Sequence, residues 1–341
     1  MFNKTFKLGN RIIGDENPTF IIAEIGINHE GNPTKCMEMI ESAARAGADS
    51  IKLQTLPANE NYLPGTESND IFSKGWIDIE TTAKAFELAR ELGVEPMTTC
   101  GDLITLFKVD KLKPVAHKIS SGLITHEPLI DEASKLGKPL IVSTGMTKIN
   151  SAKKAAKIIL ENKNYDACFL KCTSLYPAPL KDLNLKGILE LKKILKAPIG
   201  FSDHSIGIDA SYLSVAMGAN IIEKHYSYDT SRKGFDHQIS VNEKGLSELV
   251  QNIRKAEIIL GNNTMEISEA QSYMSKCNLR KIVARKEIKK GEFLNLDNVG
   301  FMRTLPSVEG LSPAYWRKIK GYATKRNFSK YEIITESDLK K

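Results

Sequence analysis

Short apolar segments alternate with amphipathic segments along most of the chain. The apolar segments are rich in β-branched residues, and the residues between them place apolar side chains at helical spacing. Continuous apolar strands that alternate with helices are typical of a parallel sheet that is buried on both faces. The predicted strands cover 20–27, 50–55, 95–100, 117–122, 139–145, 167–174, 198–204 and 220–227.

The number of strand–helix units indicates the architecture. Eight units within roughly 240 residues match the size of a TIM (β/α)8 barrel. An open, doubly wound sheet is the alternative, but no Gly-x-Gly-x-x-Gly turn follows the predicted strands. We therefore predict an α/β fold built on a TIM barrel.

Further segments flank the predicted barrel. Two short extended runs around Gly9 and Asn10 indicate an N-terminal hairpin, and after the last amphipathic helix the sequence becomes polar. From Leu279 onward, short strand patterns separated by turn signals predict a small β-rich domain. We predict a hairpin at 1–18, the barrel at 19–261, a linker at 262–278 and the β-rich domain at 279–341.

The composition is that of an ordinary soluble protein. With 41% hydrophobic and 26% charged residues among 341, the chain is neither disordered nor collagen-like. Its five cysteines are odd in number and lack metal-knuckle spacing, which favours a reduced, cytoplasmic setting. We expect no signal peptide and no membrane span, since no apolar run reaches about 18 residues.

The positive charge is concentrated at the C-terminal end. The formal net charge is +7, and residues 279–341 contain 15 Lys and Arg against 7 Asp and Glu. A nucleic-acid-binding module would explain this excess, and Tyr315, Trp316 and Tyr322 lie near the basic residues. These aromatic residues are not interleaved with the basic ones as in a stacking platform, so we favour a solvated domain surface.

Polar residues cluster where the predicted strands end. Functional groups of a TIM barrel come from the carboxyl ends of its strands, although some polar residues there only satisfy one another. Several lysines and hydroxyls at one mouth are costly to bury unless an anion neutralises them. We therefore expect an anionic, phosphorylated ligand. The candidates are Glu24, Asn28, His29, Lys52, Gln54, Thr98, Thr99, Lys118, Ser120, Ser121, Ser143, Thr144, Lys171, Thr173, Ser174, Tyr176, Ser202, Asp203, His204, Glu223, Lys224 and His225.

Two histidines end adjacent predicted strands. His204 and His225 would lie side by side, with Asp203 and Glu223 as candidate hydrogen-bond acceptors that orient the rings. Two imidazoles with water and substrate oxygens suit Mn²⁺ or a similar ion, which would polarise a carbonyl group. Asp236, in the loop after the last strand, is a further candidate ligand. Hydrogen-bonded histidines without a metal are the alternative.

The order and spacing of these motifs resemble a known family. AEIGINHEG, IKLQT, HKISSG, IVSTGM, KCTSLYPAP, GFSDHSIG, EKHYS and FDHQIS resemble the N-acetylneuraminate (sialic acid) synthases. That family includes pseudaminic and legionaminic acid synthases and spore coat polysaccharide synthase-like members. The C-terminal RKIVARKEIKKGE and MRTLP are similar to the antifreeze-like (SAF) domain that is fused to these enzymes.

The resemblance implies a reaction and a set of roles. Phosphoenolpyruvate would condense with a 2-acetamido-hexose, N-acetylmannosamine or a relative, to a nine-carbon 3-deoxy-2-ulosonic acid with release of phosphate. His204 and His225 would bind a divalent metal, Mn²⁺ or else Mg²⁺ or Co²⁺. A domain-swapped homodimer is implied, in which Arg303 of a partner subunit contacts the N-acyl group. The positions that match those holding phosphoenolpyruvate are Lys52, Thr99, Lys118, Ser121, Ser143 and Ser202. The positions that match those facing the sugar or the reacting centre are Glu24, Gln54, Ser174, Tyr176 and Asp236. Of these, Glu24 and Asp236 would be the proton-transfer groups.

The sequence departs from the family pattern at two positions. Leu123 replaces a common Glu and Ser174 a common Asn, which would favour a more deoxygenated or more acylated sugar. A barrel synthase that uses a phosphorylated aldose is the closest alternative, although no Arg cluster for a second phosphate is evident. A Schiff-base aldolase that uses Lys118 or Lys171 is another.

Overall fold

The computed structural model describes residues 1–262 and 264–341 of the chain. Two compact units divide the chain, Met1–Asn262 and Asn263–Lys341. Within the described residues, every helix is too short or too polar to span a bilayer.

The first unit is built on a closed barrel of eight parallel strands. The strands follow one another around the barrel in chain order, and the last pairs with the first through Ile221 and Phe20. This confirms the predicted TIM barrel and its eight strands. The strands of the first unit are β1 (Phe6–Leu8), β2 (Arg11–Ile13), β3 (Phe20–Gly26), β4 (Ser50–Gln54), β5 (Glu95–Thr99), β6 (His117–Ile119), β7 (Leu140–Ser143), β8 (Ala167–Cys172), β9 (Ile199–Asp203) and β10 (Ile221–His225).

Amphipathic helices follow the barrel strands and cover their outer face. Asn32 caps the first helix by accepting a hydrogen bond from the Lys35 N–H, and Asp78 does the same for the Thr81 N–H of the fourth. The helices of the first unit are α1 (Pro33–Arg45), α2 (Ala58–Asn61), α3 (Glu67–Gly75), α4 (Ile79–Glu91), α5 (Leu103–Asp110), α6 (Glu127–Lys135), α7 (Ile149–Glu161), α8 (Gly187–Leu195), α9 (Asp209–Ala216) and α10 (Glu243–Leu260).

The N-terminal hairpin fills one end of the barrel. Strands β1 and β2 pair antiparallel around Gly9, whose positive φ of 55° suits the tight turn, as the sequence predicts. A buried apolar cluster joins hairpin residues to inward-facing strand residues, and its members include Phe6, Leu8, Ile13 and Ile22. This end of the barrel is therefore packed with side chains, and the functional groups lie at the other end.

The second unit has its own small core. Strands β11 (Arg280–Ala284) and β12 (Val299–Arg303) pair antiparallel, as do β13 (Ala323–Thr324) and β14 (Leu339–Lys340). Helix α11 (Glu269–Asn278) lies within the predicted linker, and α12 (Trp316–Ile319) follows β12. Residue 263 of that linker lies outside the described residues. The core of the unit contains Ile282, Ala284, Ile288, Leu294, Val299, Phe328, Ile334 and Leu339.

Candidate active site at the mouth of the barrel

A cavity of about 480 Å³ opens where the barrel strands end. Each barrel strand, or the loop that directly follows it, contributes at least one polar side chain to its wall. The structure thus brings together most of the site residues that the sequence predicts. These are Glu24, Lys52, Gln54, Thr99, Lys118, Ser121, Ser143, Ser174, Tyr176, Ser202, His204, His225 and Asp236, together with Glu223.

Not every strand-end residue faces this cavity. Lys171 lines a different pocket, between β8 and helices α7 and α8, and Lys224 is buried against Asp203 behind the barrel wall. Thr98 instead contacts Thr55, which directly follows the neighbouring strand β4. The expectation that Lys171 and Lys224 belong to the group of lysines at the mouth is therefore wrong, because successive side chains of a strand point to opposite faces.

Four buried charged residues form the floor of the cavity. Lys52 Nζ lies 3.2 Å from Glu24 Oε2 and 3.2 Å from Glu223 Oε2. Lys118 Nζ donates a hydrogen bond of 2.7 Å to Ser143 Oγ and lies 3.8 Å from Glu223 Oε1. Because carboxylates pair with both ammonium groups, burial of the lysines alone does not require a bound anion.

The pKa values of this floor differ strongly from their ordinary values. Burial, opposed by Lys52, raises the pKa of Glu24 to about 7. Burial would also raise the pKa of Glu223, but Lys118 and Lys52 lower it to about 2. Burial lowers the pKa of Lys118 to about 8. Near neutral pH the floor therefore contains two cations, one full anion and a carboxyl that is partly protonated, and its net charge is positive.

Hydroxyl groups surround the two lysines. Thr99 Oγ1 lies 3.5 Å from Lys52 Nζ, and Ser202 Oγ donates a hydrogen bond of 2.9 Å to Glu223 Oε1. Ser121 Oγ accepts a hydrogen bond of 3.0 Å from the N–H of Gly145. Small hydroxyls next to ammonium groups are suited to binding the oxygens of a phosphate or carboxylate.

The two histidines lie together in the wall of the cavity. The ring centroids of His204 and His225 are 5.2 Å apart, and the ring of Tyr176 stacks on His204 at 4.3 Å. His204 Nδ1 lies 3.0 Å from Thr173 O. Donation to that carbonyl leaves the lone pair on Nε2 of His204. Burial lowers the pKa of His225 well below 6.5, so its imidazole is neutral, the form that binds metals.

The groups that orient these rings differ from the predicted ones. Asp203 accepts hydrogen bonds from serines behind the barrel wall, and Glu223 faces the lysines. The prediction that these two carboxylates accept hydrogen bonds from the imidazoles is therefore wrong. Thr173 O contacts His204 instead, and Asp236 Oδ2 lies 3.5 Å from His225 Nδ1.

The donor set fits a metal that draws part of its coordination from substrate or water. Nδ1 of His225 is buried without a hydrogen-bond partner. Across the described parts of the chain, no three or more His, Cys, Asp and Glu side chains are arranged to hold a metal ion. His204 and His225 are the two histidines that line the cavity, and their role as metal ligands stays a prediction.

Asp236 is fixed by its backbone. Its N–H donates a hydrogen bond of 3.0 Å to Asn28 Oδ1, and its carbonyl accepts one of 2.6 Å from Ser240 Oγ. Asn28 is fully buried and donates to Tyr226 O and Ser240 Oγ. Burial raises the pKa of Asp236. Asn28 therefore places this carboxyl beside His225 without contacting the cavity itself.

One wall of the cavity is apolar, which was not predicted from the sequence. Leu56, Tyr62, Phe72 and Met146 line it, and the Tyr62 and Phe72 rings lie 4.8 Å apart. Tyr62 and Phe72 belong to the long connection between β4 and α4, which contains α2 and α3. Strand-to-helix loops of barrels usually have 2–6 residues. The unusual length of this connection was therefore the feature of the sequence that could have indicated an additional wall of the site.

Two further residues at the mouth, Gly145 and Cys172, were not predicted as part of the site. A Cβ atom on Gly145 would lie 2.2 Å from Ser174 Oγ, so any larger residue at this position displaces that hydroxyl. Cys172 Sγ lies 3.8 Å from His204 Nδ1. Burial would raise the pKa of this thiol, but the contact with His204 lowers it to about 7.

The two departures from the family pattern lie in different surroundings. Ser174 lines the cavity, as expected. Leu123 is half-buried against the hydrophobic core and does not line the cavity, so the expectation that it faces the sugar is wrong. It ends a short 3₁₀ turn, Ser121–Leu123, which directs it away from the mouth.

Arg303 belongs to the second unit. It is exposed at the end of β12, where it pairs in register with Arg280. Among the described residues, its guanidinium forms no ion pair.

The fold and site together define a TIM-barrel enzyme with a buried, cationic floor and a histidine pair at its mouth. The NeuB family model matches residues 39–265. The chain therefore belongs to the NeuB family, the sialic acid synthases, and is a transferase that forms carbon–carbon bonds. Members of this family condense phosphoenolpyruvate with an amino sugar.

Similar proteins match most of the length of the chain. An uncharacterized protein of Methanocaldococcus jannaschii is 38% identical over 92% of this chain and 94% of its own length. Pseudaminic acid synthase of Campylobacter jejuni is 32% identical over 98% of this chain and all of its own length. The crystal structure of N-acetylneuraminic acid synthetase from Leptospira borgpetersenii superposes with a TM-score of 0.77 at 32% identity, over 80% of this chain and 95% of that one.

Proposed function

We propose that the chain condenses phosphoenolpyruvate with a 2-acetamido-hexose to a nine-carbon 3-deoxy-2-ulosonic acid in a metal-dependent reaction. Carbon 3 of phosphoenolpyruvate bonds to the aldehyde carbon of the sugar, water adds at carbon 2, and phosphate leaves. The observation that carries the proposal is the buried floor, in which Lys52 and Lys118 lie among serine and threonine hydroxyls in a chain of the NeuB family.

Phosphoenolpyruvate binds at this floor. Its phosphate and carboxylate accept hydrogen bonds from the ammonium groups of Lys52 and Lys118 and from the nearby hydroxyls. Bound phosphoenolpyruvate adds negative charge, which stabilises the protonated form of Lys118 whose pKa is otherwise about 8. The hydroxyls belong to Thr99, Ser121, Ser143 and Ser202.

The sugar binds above the floor. Gln54, Ser174 and Tyr176 face it, and Glu24 and Asp236 exchange protons with the reacting atoms. Burial raises the pKa of both carboxyls, which brings them closer to the pH at which a proton is readily exchanged.

His204 and His225 hold the divalent metal, Mn²⁺ or a similar ion. When bound, such an ion polarises the carbonyl group of the sugar. The ring of Tyr176 stacks on that of His204.

The acceptor is a 2,4-diacetamido-trideoxyhexose rather than N-acetylmannosamine. The apolar wall of Leu56, Tyr62, Phe72 and Met146 can pack against a deoxy methyl or a second acyl group but offers few partners to hydroxyls. The similarity to a pseudaminic acid synthase along the full chain supports the same class. Leu123 does not line the cavity and therefore does not contact the acceptor sugar.

The test is a phosphate-release assay with phosphoenolpyruvate and a panel of acetamido sugars, with EDTA and with restored Mn²⁺. We expect release with diacetamido sugars, loss in EDTA and recovery with Mn²⁺. A clear preference for N-acetylmannosamine would contradict the proposed diacetamido acceptor. No release with any sugar would contradict the function.

The lining of the cavity argues against a phosphorylated aldose as the acceptor and against a Schiff base at Lys171. Lys52 and Lys118 are its only Lys or Arg residues among those that the structure describes, which leaves no cluster for the phosphate of an aldose. A Schiff-base aldolase would be revealed by borohydride trapping with pyruvate. Lys171 lies outside the cavity, so trapping there is not expected.

The second unit is an antifreeze-like (SAF) domain that acts in a homodimer, with Arg303 serving the sugar site of the partner subunit. Support comes from the motif resemblance and from the exposed guanidinium at the end of β12. Mixing two inactive variants, His225→Gln and Arg303→Ala, should restore part of the activity in heterodimers. Absence of recovery in verified heterodimers would contradict the swapped arrangement.

A further inference from the structure

Two buried charges lie behind the histidine pair, outside the barrel wall. Asp203 on β9 and Lys224 on β10 face each other in the register of the sheet, and both are 0% exposed. Lys224 Nζ lies 3.2 Å from Asp203 Oδ2. Each of these residues directly precedes one of the two histidines in the sequence.

The Asp203 carboxylate contacts the residue that follows His204. Its Oδ1 accepts hydrogen bonds of 2.8 Å from the N–H and 2.7 Å from the hydroxyl of Ser205. Its Oδ2 accepts a hydrogen bond of 2.6 Å from Ser211 Oγ on α9. The Asp203 carboxylate therefore links the segment that contains His204 to helix α9 through hydrogen bonds.

Lys224 connects this bend to the neighbouring strand. Its Nζ donates a hydrogen bond of 2.5 Å to the carbonyl of Ser205 while its own backbone continues into His225. One ammonium group thus contacts the segment of His204 and belongs to the strand of His225. A displacement of this group would change the distance between the two imidazoles.

Such a pair is a weak source of stability. Burying two charges is costly, and well-packed apolar residues of similar volume often give equal or greater stability. Apart from Ser211 on α9, the pair contacts Ser205, the residue that directly follows His204. The pair therefore positions the backbone next to the histidines and contributes little to the free energy of folding.

We propose that Asp203 and Lys224 are positioning residues that fix the relative placement of the His204 and His225 imidazoles and thereby set the affinity of the site for a divalent cation. This rests on the metal site of the proposed function. The residues themselves touch neither the cavity nor the cation.

The test measures Mn²⁺ affinity directly, by calorimetry or by the loss of the free Mn²⁺ electron paramagnetic resonance signal. Lys224→Met should weaken Mn²⁺ binding by about 10- to 100-fold, the range for groups that orient metal ligands. The double variant Asp203→Asn with Lys224→Met leaves no buried charge unpaired. It should show the same loss of affinity if the single variant does not fold.

A matched control separates positioning from general destabilisation. Asn164 is buried near the opposite end of β8 and donates hydrogen bonds of 2.8 Å to Lys138 O and 3.3 Å to Ser134 O. Asn164→Ala should lower the melting temperature and leave Mn²⁺ affinity unchanged. Unchanged affinity in the folded Lys224→Met and double variants would overturn the proposal.

A structural readout distinguishes this proposal from the metal dependence itself. If the wild-type protein binds no Mn²⁺, the metal part of the proposed function fails. Crystal structures without metal then decide the positioning role. Compared with the wild type, the double variant should show a changed separation of the two imidazoles, whose centroids lie 5.2 Å apart. An unchanged separation would overturn the proposal in this case.

Discussion

Replacing Glu24 by glutamine is expected to change how the stability of the barrel depends on pH. Burial raises the pKa of Glu24 from 4.5 to about 7, so the folded protein holds this proton more tightly than the unfolded chain does. Linkage then requires the free energy of unfolding to fall as the pH rises from 4.5 through 7 and to level off above this range.

The magnitude follows from the two pKa values. At pH 5.5 the carboxyl of the unfolded chain is already largely ionised, whereas that of the folded protein ionises only near neutrality. Between pH 5.5 and pH 8, the raised pKa of Glu24 therefore lowers the free energy of unfolding by about 2 kcal/mol. Glutamine does not titrate, so the free energy of unfolding of Glu24→Gln should rise by about 2 kcal/mol relative to that of the wild type over this interval. The lowered pKa of Glu223 acts below pH 4.5, outside this interval.

The assay is urea unfolding at several pH values between 5.5 and 8. In a Trp316→Phe background, Trp76 is the single tryptophan and its fluorescence reports on the barrel. Glu161→Gln, at an exposed position of α7, serves as the control and should show no such trend. A stability difference between Glu24→Gln and wild type that stays constant with pH, or falls as the pH rises, would refute the reasoning.

Three further changes test the floor, the mouth and the loop of the site. Lys118→Met should raise the KM for phosphoenolpyruvate at least about tenfold at pH 7, and the wild-type KM should rise above pH 8 as Lys118 loses its proton. Gly145→Ala should lower kcat/KM without a large change in melting temperature, because the added methyl displaces the hydroxyl of Ser174. Asn28→Ala should lower kcat by about tenfold or more, because the Asp236 backbone loses a buried hydrogen bond.

These three predictions share the phosphate-release assay and one control. Asn164→Ala removes buried hydrogen bonds far from the mouth and should leave KM and kcat near wild type. A KM for phosphoenolpyruvate that does not change between pH 7 and pH 9 would contradict the role of Lys118. Wild-type kinetics in the Gly145 or Asn28 variant would contradict the assigned geometry.

The barrel and most of its site were predictable from the sequence because both depend on local patterns. Apolar runs bounded by turn residues locate the strands, and the observed bounds of β4, at Ser50–Gln54, fall within one residue of the predicted 50–55. The carboxyl end of each strand then locates the polar residues. Known motifs supplied the roles that the pattern alone left open.

The inward and outward faces of the strands were not predictable. Strands buried on both faces show little alternation, so Lys118 and Lys171 look alike in the sequence although only Lys118 faces the cavity. The groups that orient His204 and His225 come from distant segments, and the pairing of Asp203 with Lys224 depends on the register of the sheet. These are properties of tertiary packing, which the local pattern does not contain.

The N-terminal hairpin has a consequence for the order of events. Phe6, Leu8 and Ile13 help to fill the interior beneath the charged floor, so the barrel has no rear exit. If phosphoenolpyruvate occupies the floor and the sugar lies above it, both enter through one opening and the sugar blocks the way out. Kinetics should then be sequential and ordered, with phosphoenolpyruvate binding first and the sugar acid departing before any phosphate retained at the floor.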